Sequence, residues 1–292
     1  MFVNVTHYEQ GKVSILSRQG TEFPLTEFQE IVNTIIENVP VGYQLHGELL
    51  CVSGESPASY LPREEGNGIL NSVAKGGKVP EGISLRFVAW DIVDYDTIVN
   101  KTTSSKTYYD RYNRLTTHLQ YVVNNSVKVV PTRFVYSKEQ ALEHYSEMLA
   151  QGKEGTVLKS CDFKWKDGTS KEQLKLKLEV DVDLVITGFT QGEGKYSHLF
   201  GSVSCETIDG LLKVNVSGMP DKMREYLSEH REESIGKVMC VRGNMLMKPS
   251  KSNDKYSIFL PRCVEVREDK VVADSLVQVI EQFDNAIKGE KK

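Results

Sequence analysis

The chain has 292 residues, of which 39% are hydrophobic and 26% are charged, so it is long enough for two soluble domains with real cores. Its net charge of −4 excludes a bulk polycation, and any nucleic acid would have to bind through local basic patches. Five dispersed cysteines without a Cys-x-x-Cys pair, and no apolar run long enough to span a bilayer, predict a cytoplasmic protein (in a host cell, if the chain is of phage origin).

The first elements alternate between strands and helices. Alternating residues over 2–17 predict a β-hairpin. Residues 26–29 have the sequence of a capping box, and the apolar residues after them recur at helical spacing. Strands are predicted at residues 43–52 and 85–92, and the Gly-, Ser- and charge-rich residues 53–82 between them predict a long surface loop.

The middle of the chain continues with a helix predicted over 112–123, a strand over 127–136 and a helix that starts at Ser137 and ends before Gly152. After residue 177 the pattern changes to short, closely spaced strands interrupted by one polar helix over 220–233. Short strands with one helix over about a hundred residues are typical of a small barrel of the OB type. We therefore predict one domain over residues 1–180 and an OB-fold domain with a C-terminal helix over 181–292.

Lysines and a carboxylate on two neighbouring strands predict a phosphate site. Lys175 and Lys177 alternate along one strand, so both side chains lie on the same face. Two adjacent ammonium groups repel each other unless an anion lies between them. Glu154 and Lys159 flank the strand before them, where a carboxylate could hold Mg²⁺ and a lysine could neutralise the same phosphate. Charges that flank a helix end are equally typical of an ordinary surface. The four residues therefore indicate a phosphate site only when they are taken together.

Other candidate residues are weak indicators when each is taken alone. Glu48 after Gly47 could hold a sugar hydroxyl or a metal, or simply face solvent. Phe87 and Trp90 could stack on a base or belong to the core. The remaining candidates lie in polar segments that could contact phosphates or be ordinary turns and charged surface: Ser17-Arg18-Gln19-Gly20, Gly66-Asn67-Gly68 and Arg267-Glu268-Asp269-Lys270.

Taken together and in this order, these segments resemble the motifs of the covalent nucleotidyltransferases: ATP-dependent DNA ligases, RNA ligases and capping enzymes. The resemblance spans nearly the whole chain and is strongest to DNA ligases of the T-even bacteriophage type. It rests on Ser17-Arg18-Gln19-Gly20, Gly47-Glu48-Leu49, Phe87-Val88-Ala89-Trp90-Asp91, Glu154-Gly155-Thr156-Val157-Leu158-Lys159, Lys175-Leu176-Lys177 and Arg267-Glu268-Asp269-Lys270. Further support comes from Gly66-Asn67-Gly68-Ile69, Val180-Asp181-Val182-Asp183-Leu184 and Phe259-Leu260-Pro261.

The resemblance implies an α+β fold, with an ATP-grasp-like nucleotidyltransferase core followed by an OB-fold β-barrel. It also implies nick sealing in duplex DNA with ATP and Mg²⁺, through enzyme–AMP and DNA–adenylate intermediates. For the nucleotide, the resemblance implies that Glu48 holds the ribose or the metal, that Phe87 or Trp90 stacks on adenine and that Glu154 binds the metal. For the phosphates, it implies contacts to the α-phosphate from Lys159, Lys175 and Lys177, and closure over pyrophosphate by Arg267, Asp269 and Lys270. It implies DNA contacts from Arg18, Asn67 and Gly68.

One departure from the family pattern concerns the nucleophile. The family's reactive lysine lies in a Lys-x-Asp-Gly motif just before the first strand, and this sequence has only Lys166-Asp167-Gly168, in a different place. We therefore expect an upstream segment, on the same or on a separate polypeptide, to supply the lysine and the N-terminal DNA-binding region. A split gene, a shortened sequence and a degenerate relic are the three explanations. The alternatives for function are a non-catalytic nick- or nucleotide-binding protein and an mRNA-capping guanylyltransferase.

Overall fold

The structure, a computed structural model, describes residues 1–54, 59–249 and 253–289. The chain forms two compact units that do not follow a single cut in the sequence. Unit 1 contains Met1–Phe134 and Lys159–Leu174, and unit 2 contains Val135–Leu158 and the residues from Lys175 onward. The predicted boundary near residue 180 stays a prediction. In the described part of the chain, no helix is both long and apolar enough to cross a membrane.

Unit 1 is built on a mixed sheet with the strand order β2-β1-β3-β5-β6, to which β4 is added through β3. Only the β5–β6 pair is parallel. The elements, in chain order, are β1 Phe2–Glu9, β2 Lys12–Ser17, α1 Gln29–Asn38, β3 Tyr43–Ser53, β4 Ser59–Tyr60, α2 Arg63–Val73, β5 Ile83–Asp94, α3 Tyr95–Val99, α4 Tyr108–Leu119 and β6 Val127–Val129. The predicted hairpin and the two long strands are confirmed, whereas the strand predicted over 127–136 ends at Val129.

The long strands β3 and β5 form the centre of the unit 1 core. Val3, Val5, Leu45, Leu49 and Phe87 are fully buried among them. Gly47 is required at its position, because a Cβ there would lie 2.3 Å from Cε2 of Phe87 and 2.5 Å from the carbonyl oxygen of Val88. The strand pairing also shifts register between His46 and Gly47. Gly47 therefore serves the packing of Phe87 against β3.

The segment predicted as a loop over 53–82 contains the helix α2, so that prediction is wrong for residues 63–73. Residues 55–58 of the same prediction lie outside the described residues. Leu70 and Val73 on α2 are fully buried, and a Cβ added at Gly66 would lie 3.7 Å from the Cβ of Cys51. The glycines Gly66 and Gly68 led to the loop prediction, because glycine has a low helix propensity. The helix is stabilised by the burial of its apolar face rather than by intrinsic propensity.

Of the two capping boxes predicted from the sequence, one is absent and the other is formed in part. No side chain caps α1, and residues Leu25–Phe28 form a 3₁₀ turn before it, so the box predicted at 26–29 is not formed. Ser137 does cap the helix α5 (Lys138–Ala150), because its hydroxyl accepts a hydrogen bond from the backbone N–H of Gln140. A complete reciprocal box, which the sequence analysis missed, joins Thr107 and Asp110 at α4.

A two-stranded sheet carries the chain from one unit to the other. It consists of β7 (Gly155–Lys159) and β8 (Gln173–Lys177). Gly155 has a φ of +150°, and a Cβ there would lie 2.0 Å from the carbonyl oxygen of Leu176. Only glycine permits this close backbone approach, which explains the Glu-Gly dipeptide before β7.

Unit 2 is organised around an open five-stranded sheet with the order β11-β10-β9-β12-β15. The elements, in chain order after β8, are β9 Val180–Gln191, β10 Phe200–Glu206, β11 Lys213–Val216, α6 Asp221–Glu229, α7 Arg231–Ser234, β12 Val238–Gly243, β13 Met245–Met247, β14 Ser257–Phe259, β15 Arg262–Arg267 and α8 Leu276–Gly289. The order of strands has the OB-type pattern that was predicted, and the sheet is open rather than closed into a barrel. Among the described residues, the end strands β11 and β15 meet only through an isolated bridge between Ser217 and Arg262.

Two predicted elements of unit 2 are each divided in the structure. The helix predicted over 220–233 is interrupted at His230, whose φ of −116° and ψ of 37° are not helical. The strand predicted over 256–266 is interrupted at Leu260, which has a φ of 52°. A non-glycine residue in the left-handed region cannot continue a strand. The core includes Leu184, Ile186, Phe200, Val241 and Val279, so β9, β10, β12 and α8 share one apolar centre.

Candidate functional site

A buried ion pair lies at the centre of the candidate residues of unit 1. Asp91 lies near the end of β5, and Arg111 on α4 donates to both of its carboxylate oxygens, with Nε–Oδ1 2.8 Å and Nη2–Oδ2 3.0 Å. The remaining donor of Arg111, Nη1, reaches the carbonyl oxygens of Lys106 and Phe163 at 2.9 and 3.1 Å. The sequence analysis did not identify Arg111. The pair holds the segment around Phe163 against the strand end.

Lys159 lies beside this pair. Its ammonium is 4.3 Å from the ring centroid of Tyr108, a cation–π contact. Burial lowers the pKa of Lys159 to about 8, although the nearby Asp91 carboxylate acts in the opposite direction. Lys159 therefore loses its proton more readily than an ordinary lysine, and a bound anion would favour its charged form.

His46 belongs to the same group, although it was not among the residues predicted from the sequence. It lies on β3 with its ring centroid 5.7 Å from that of Trp165, and its Nε2 is 3.0 Å from Oε1 of Gln44. Burial lowers the pKa of His46 to about 4, so the ring is neutral at physiological pH. The alternation of β3 alone could have placed His46 on the buried face, but not beside Lys159.

The three residues predicted to hold the nucleoside occupy different environments within unit 1. Phe87 is fully buried in the core against Gly47. Trp90 is half-buried, stacks on Phe2 with centroids 5.6 Å apart, and its carbonyl oxygen accepts from the hydroxyl of Tyr108. Glu48 is half-exposed, and its Oε1 lies 3.1 Å from the amino group of Met1. Of the two aromatic candidates, Trp90 presents the more accessible ring.

Lys166 and Asp167, from the segment Lys166-Asp167-Gly168 that partly matches the nucleophile motif, line a cavity of about 500 Å³. Thr103, Phe163 and Ser170 also line it, together with the side chains of Lys164, Lys171 and Glu172. The Asp167 carboxylate raises the pKa of His46 slightly against the larger effect of burial. The segment is therefore part of the surroundings of the unit 1 site, in a loop between β7 and β8.

The predicted DNA contacts of unit 1 are partly corrected. Arg18 is exposed in the turn after β2, where the Ser17 hydroxyl accepts hydrogen bonds from the backbone of Gln19 and Thr21. Asn67 and Gly68 lie on α2 and not on a loop, so they cannot present backbone N–H groups as a phosphate loop would. Their role in contacting DNA stays a prediction.

Unit 2 contains Glu154, Lys175 and Lys177. Glu154 and Lys175 are exposed. Lys177 is half-buried, and its Nζ is 3.8 Å from Oε1 of Glu179, which also accepts a 2.8 Å hydrogen bond from Arg262. Among the described residues, no carboxylate lies within ion-pair distance of Lys175, in contrast to Lys177. A phosphate would have to compete with Glu179 for Lys177.

The cations of the last motif form a second network in unit 2. Arg267 donates from Nε and Nη2 to the two carboxylate oxygens of Asp269, at 2.8 and 2.7 Å, and from Nη1 to Asp183 at 3.2 Å. Lys270 donates to Asp183 at 2.8 Å and to Asp274 at 2.9 Å. The hydrogen bonds from Arg267 lower the pKa of Asp269 to about 2. The sequence predicted roles for Arg267, Asp269 and Lys270 but none for their partners Asp183, on the distant strand β9, and Asp274, four residues after Lys270.

The described ranges 1–54, 59–249 and 253–289 contain no group of three or more His, Cys, Asp or Glu side chains that could hold a metal ion. A divalent cation would therefore need oxygen ligands from a substrate in addition to one or two carboxylates, which is how Mg²⁺ commonly binds beside phosphates.

Solved structures share this fold. The chain superposes on Pmar-Lig_PreS3 with a TM-score of 0.69 and 18% identity, covering 91% of this chain and 61% of that one. It also superposes on a structure described as "DNA binding with a minimal scaffold: Structure-function analysis of Lig E DNA ligases", with a TM-score of 0.62, 18% identity and coverage of 91% and 89%. The α+β unit and the OB-type unit thus define a chain with the nucleotidyltransferase and OB-fold architecture of ligases.

Sequence comparison gives the family. Residues 4–177 match the model of the ATP dependent DNA ligase domain, and the chain belongs to this family. It is 29% identical to the DNA ligase of Enterobacteria phage T4 over 233 residues, covering 76% of this chain and 47% of the relative. It is 26% identical to the DNA ligase of Methanocorpusculum labreanum over 290 residues, covering 92% and 50%. The chain spans about half the length of the curated relatives it matches.

Proposed function

We propose that this chain performs AMP transfer and strand joining at nicks in duplex DNA, as part of an ATP-dependent DNA ligase in the cytoplasm. The observation that carries the proposal is the family match over residues 4–177, which includes all the predicted phosphate-site lysines. The match also favours a ligase over a capping guanylyltransferase. The half-buried Lys159 supports it, because its ammonium form would stabilise a developing negative charge on a phosphate.

The reaction has three in-line transfers. A lysine amine attacks the α-phosphate of ATP and pyrophosphate leaves; the 5′-phosphate at the nick then takes the AMP; finally the 3′-hydroxyl attacks the adenylated phosphate and AMP leaves. Positioning and charge neutralisation supply most of the catalysis in such transfers. Lys159, Lys175 and Lys177 would neutralise the α-phosphate, while Trp90 or Phe87 would contact adenine and Glu48 the ribose.

Magnesium fits the chemistry of one exposed carboxylate, Glu154, with Glu48 as the second candidate. Mg²⁺ accepts one or two carboxylates and completes its coordination with water and phosphate oxygens. When bound, it would supply charge neutralisation at the phosphates. The role of this chain would be to hold it through Glu154 while the lysines orient the phosphate.

The first transfer needs a nucleophile that this sequence does not provide in a Lys-x-Asp-Gly motif. We propose that a separate segment carrying this motif is a partner of the chain. The third transfer does not form a bond to that lysine, because its reactants are the 3′-hydroxyl and the adenylated 5′-phosphate. The chain by itself should therefore be competent for the last step only.

The test uses nicked duplex DNA whose 5′-phosphate is already adenylated. We expect the chain to join this nick in the presence of Mg²⁺ without ATP, and to leave an unadenylated nick with ATP unjoined. Lys175→Ala should slow joining about a hundredfold or more, since it removes a cation from the transferring phosphate. Lys222→Ala is the matched control, because Lys222 is an exposed lysine of unit 2 on α6. Failure to join the adenylated nick contradicts the proposal, and a covalent adduct with ATP contradicts the need for a partner.

A further inference from the structure

The donors of Arg267 and Lys270 are directed at carboxylates of the same unit. Arg267 uses Nε and Nη2 for Asp269 and Nη1 for Asp183, and Lys270 is shared between Asp183 and Asp274. Two cations thus contact three carboxylates. This network has no excess positive charge with which to attract an anion, so an anion can bind only if a carboxylate moves aside.

The three carboxylates differ in how firmly the fold holds them. The side chain of Asp274 is 5% exposed; it accepts a hydrogen bond from the backbone N–H of Asp183, and its own N–H donates to the carbonyl oxygen of Asp183 at 2.7 Å. Asp183 lies on the core strand β9 and its side chain is 13% exposed. Asp269, by contrast, is 71% exposed and follows the end of β15. Asp269 can rotate into solvent without disturbing the core.

The edge of Arg267 that Asp269 covers is the one best suited to a phosphate. The Nε and Nη2 donors of arginine are parallel and match two oxygens of a carboxylate or a phosphate equally well. With Asp269 in place, both donors are used, at 2.8 and 2.7 Å. A pyrophosphate oxygen pair and the Asp269 carboxylate cannot occupy this edge at the same time.

We propose that Asp269 is an internal competitor of pyrophosphate: it covers the anion-binding edge of Arg267 and leaves that edge when pyrophosphate binds. This inference rests on the proposed function for Arg267 and Lys270, and it reverses the role expected for Asp269 from the sequence, where it closed over pyrophosphate together with the two cations. During the exchange, Asp183 remains hydrogen-bonded to Arg267 and Lys270, and Asp274 remains hydrogen-bonded to Lys270.

The test is calorimetric titration of the full chain with inorganic pyrophosphate at low salt in EDTA. Asp269→Asn should tighten binding by about two- to fivefold, the range expected when an exposed ion pair no longer competes. Glu268→Gln is the matched control, because it removes the same charge from the neighbouring exposed residue and should change the affinity less than Asp269→Asn does. Equal or weaker binding by Asp269→Asn, relative to the unaltered chain, overturns the inference.

Two further measurements separate the possible failures. Arg267→Ala should weaken pyrophosphate binding; if it does not, the proposed pyrophosphate site itself is wrong. If Arg267 is needed but Asp269→Asn does not tighten binding, only the competition is wrong. Repeating the titration with Mg²⁺ gives the last outcome: weaker binding by Asp269→Asn in Mg²⁺ alone would identify Asp269 as a cation contact and overturn the inference.

Discussion

The guanidinium of Arg111 and the carboxylate of Asp91 form a two-point ion pair inside unit 1, where their side chains are 2% and 4% exposed. Removing one partner of such a pair leaves an uncompensated buried charge. Arg111→Met should therefore lower the free energy of unfolding by about 3–5 kcal/mol. Urea denaturation followed by circular dichroism measures this.

The control for Arg111 lies one turn further along α4. Arg114 pairs with Asp94 at 3.4 Å, and both side chains are about a third exposed (31% and 39%). Arg114→Met should cost about 1 kcal/mol or less, as for a surface pair. Equal costs for the two variants would mean that burial of the Asp91–Arg111 pair does not matter.

His46 should make the fold sensitive to mild acid. Burial lowers its pKa from 6.5 to about 4 in the folded chain, so the unfolded chain binds the extra proton between these two values. Stability is therefore fully present above pH 6.5 and is lost as the pH falls toward 4, by about 3 kcal/mol from this group.

Urea unfolding at several pH values, with His46→Gln beside the unaltered chain, measures this dependence. The variant should have the shallower decline between pH 6.5 and 4. His198→Gln is the control, since His198 is exposed. The idea is wrong if His46→Gln and the unaltered chain lose stability in parallel.

Lys159 should react with an acylating reagent at lower pH than an ordinary lysine. Its pKa of about 8 gives a substantial fraction of free amine at pH 8. We expect its acetylation rate, followed by mass spectrometry of peptides, to level off above pH 8 to 9. The exposed Lys164 in the same samples is the internal reference. Indistinguishable pH profiles for the two lysines would contradict the lowered pKa.

Gly47 and Gly68 should respond to alanine in opposite directions. Gly47→Ala places a Cβ 2.3 Å from the ring of Phe87 and should destabilise the chain by about 1–3 kcal/mol. Gly68→Ala on α2 meets nothing within 4 Å and should stabilise by about 0.5–1 kcal/mol, because alanine favours a helix. Thermal and urea unfolding give both signs. A destabilising Gly68→Ala would argue that residue 68 is not helical.

Strand periodicity and turn residues were sufficient to predict the β-hairpin, the strands β3 and β5 and most strands of unit 2, because these patterns are local. They failed at α2, where two glycines outweighed the apolar residues that tertiary packing buries. They could not show that the sheet of unit 2 is open, since contact between the distant strands β11 and β15 depends on tertiary structure that no local pattern shows.

For the site, the sequence by itself supplied the candidate charged residues: Lys159, Lys175, Lys177, Arg267 and Lys270 stand in ordered segments that resemble the family's motifs. Only the tertiary structure decided their state. The lowered pKa of Lys159 follows from its burial and is opposed by the nearby Asp91 carboxylate, and the ion pairs of Arg267 and Lys270 are made with Asp183 and Asp274. The sequence gives the type of each charged side chain. Its solvation and its counterions depend on the residues that folding places around it.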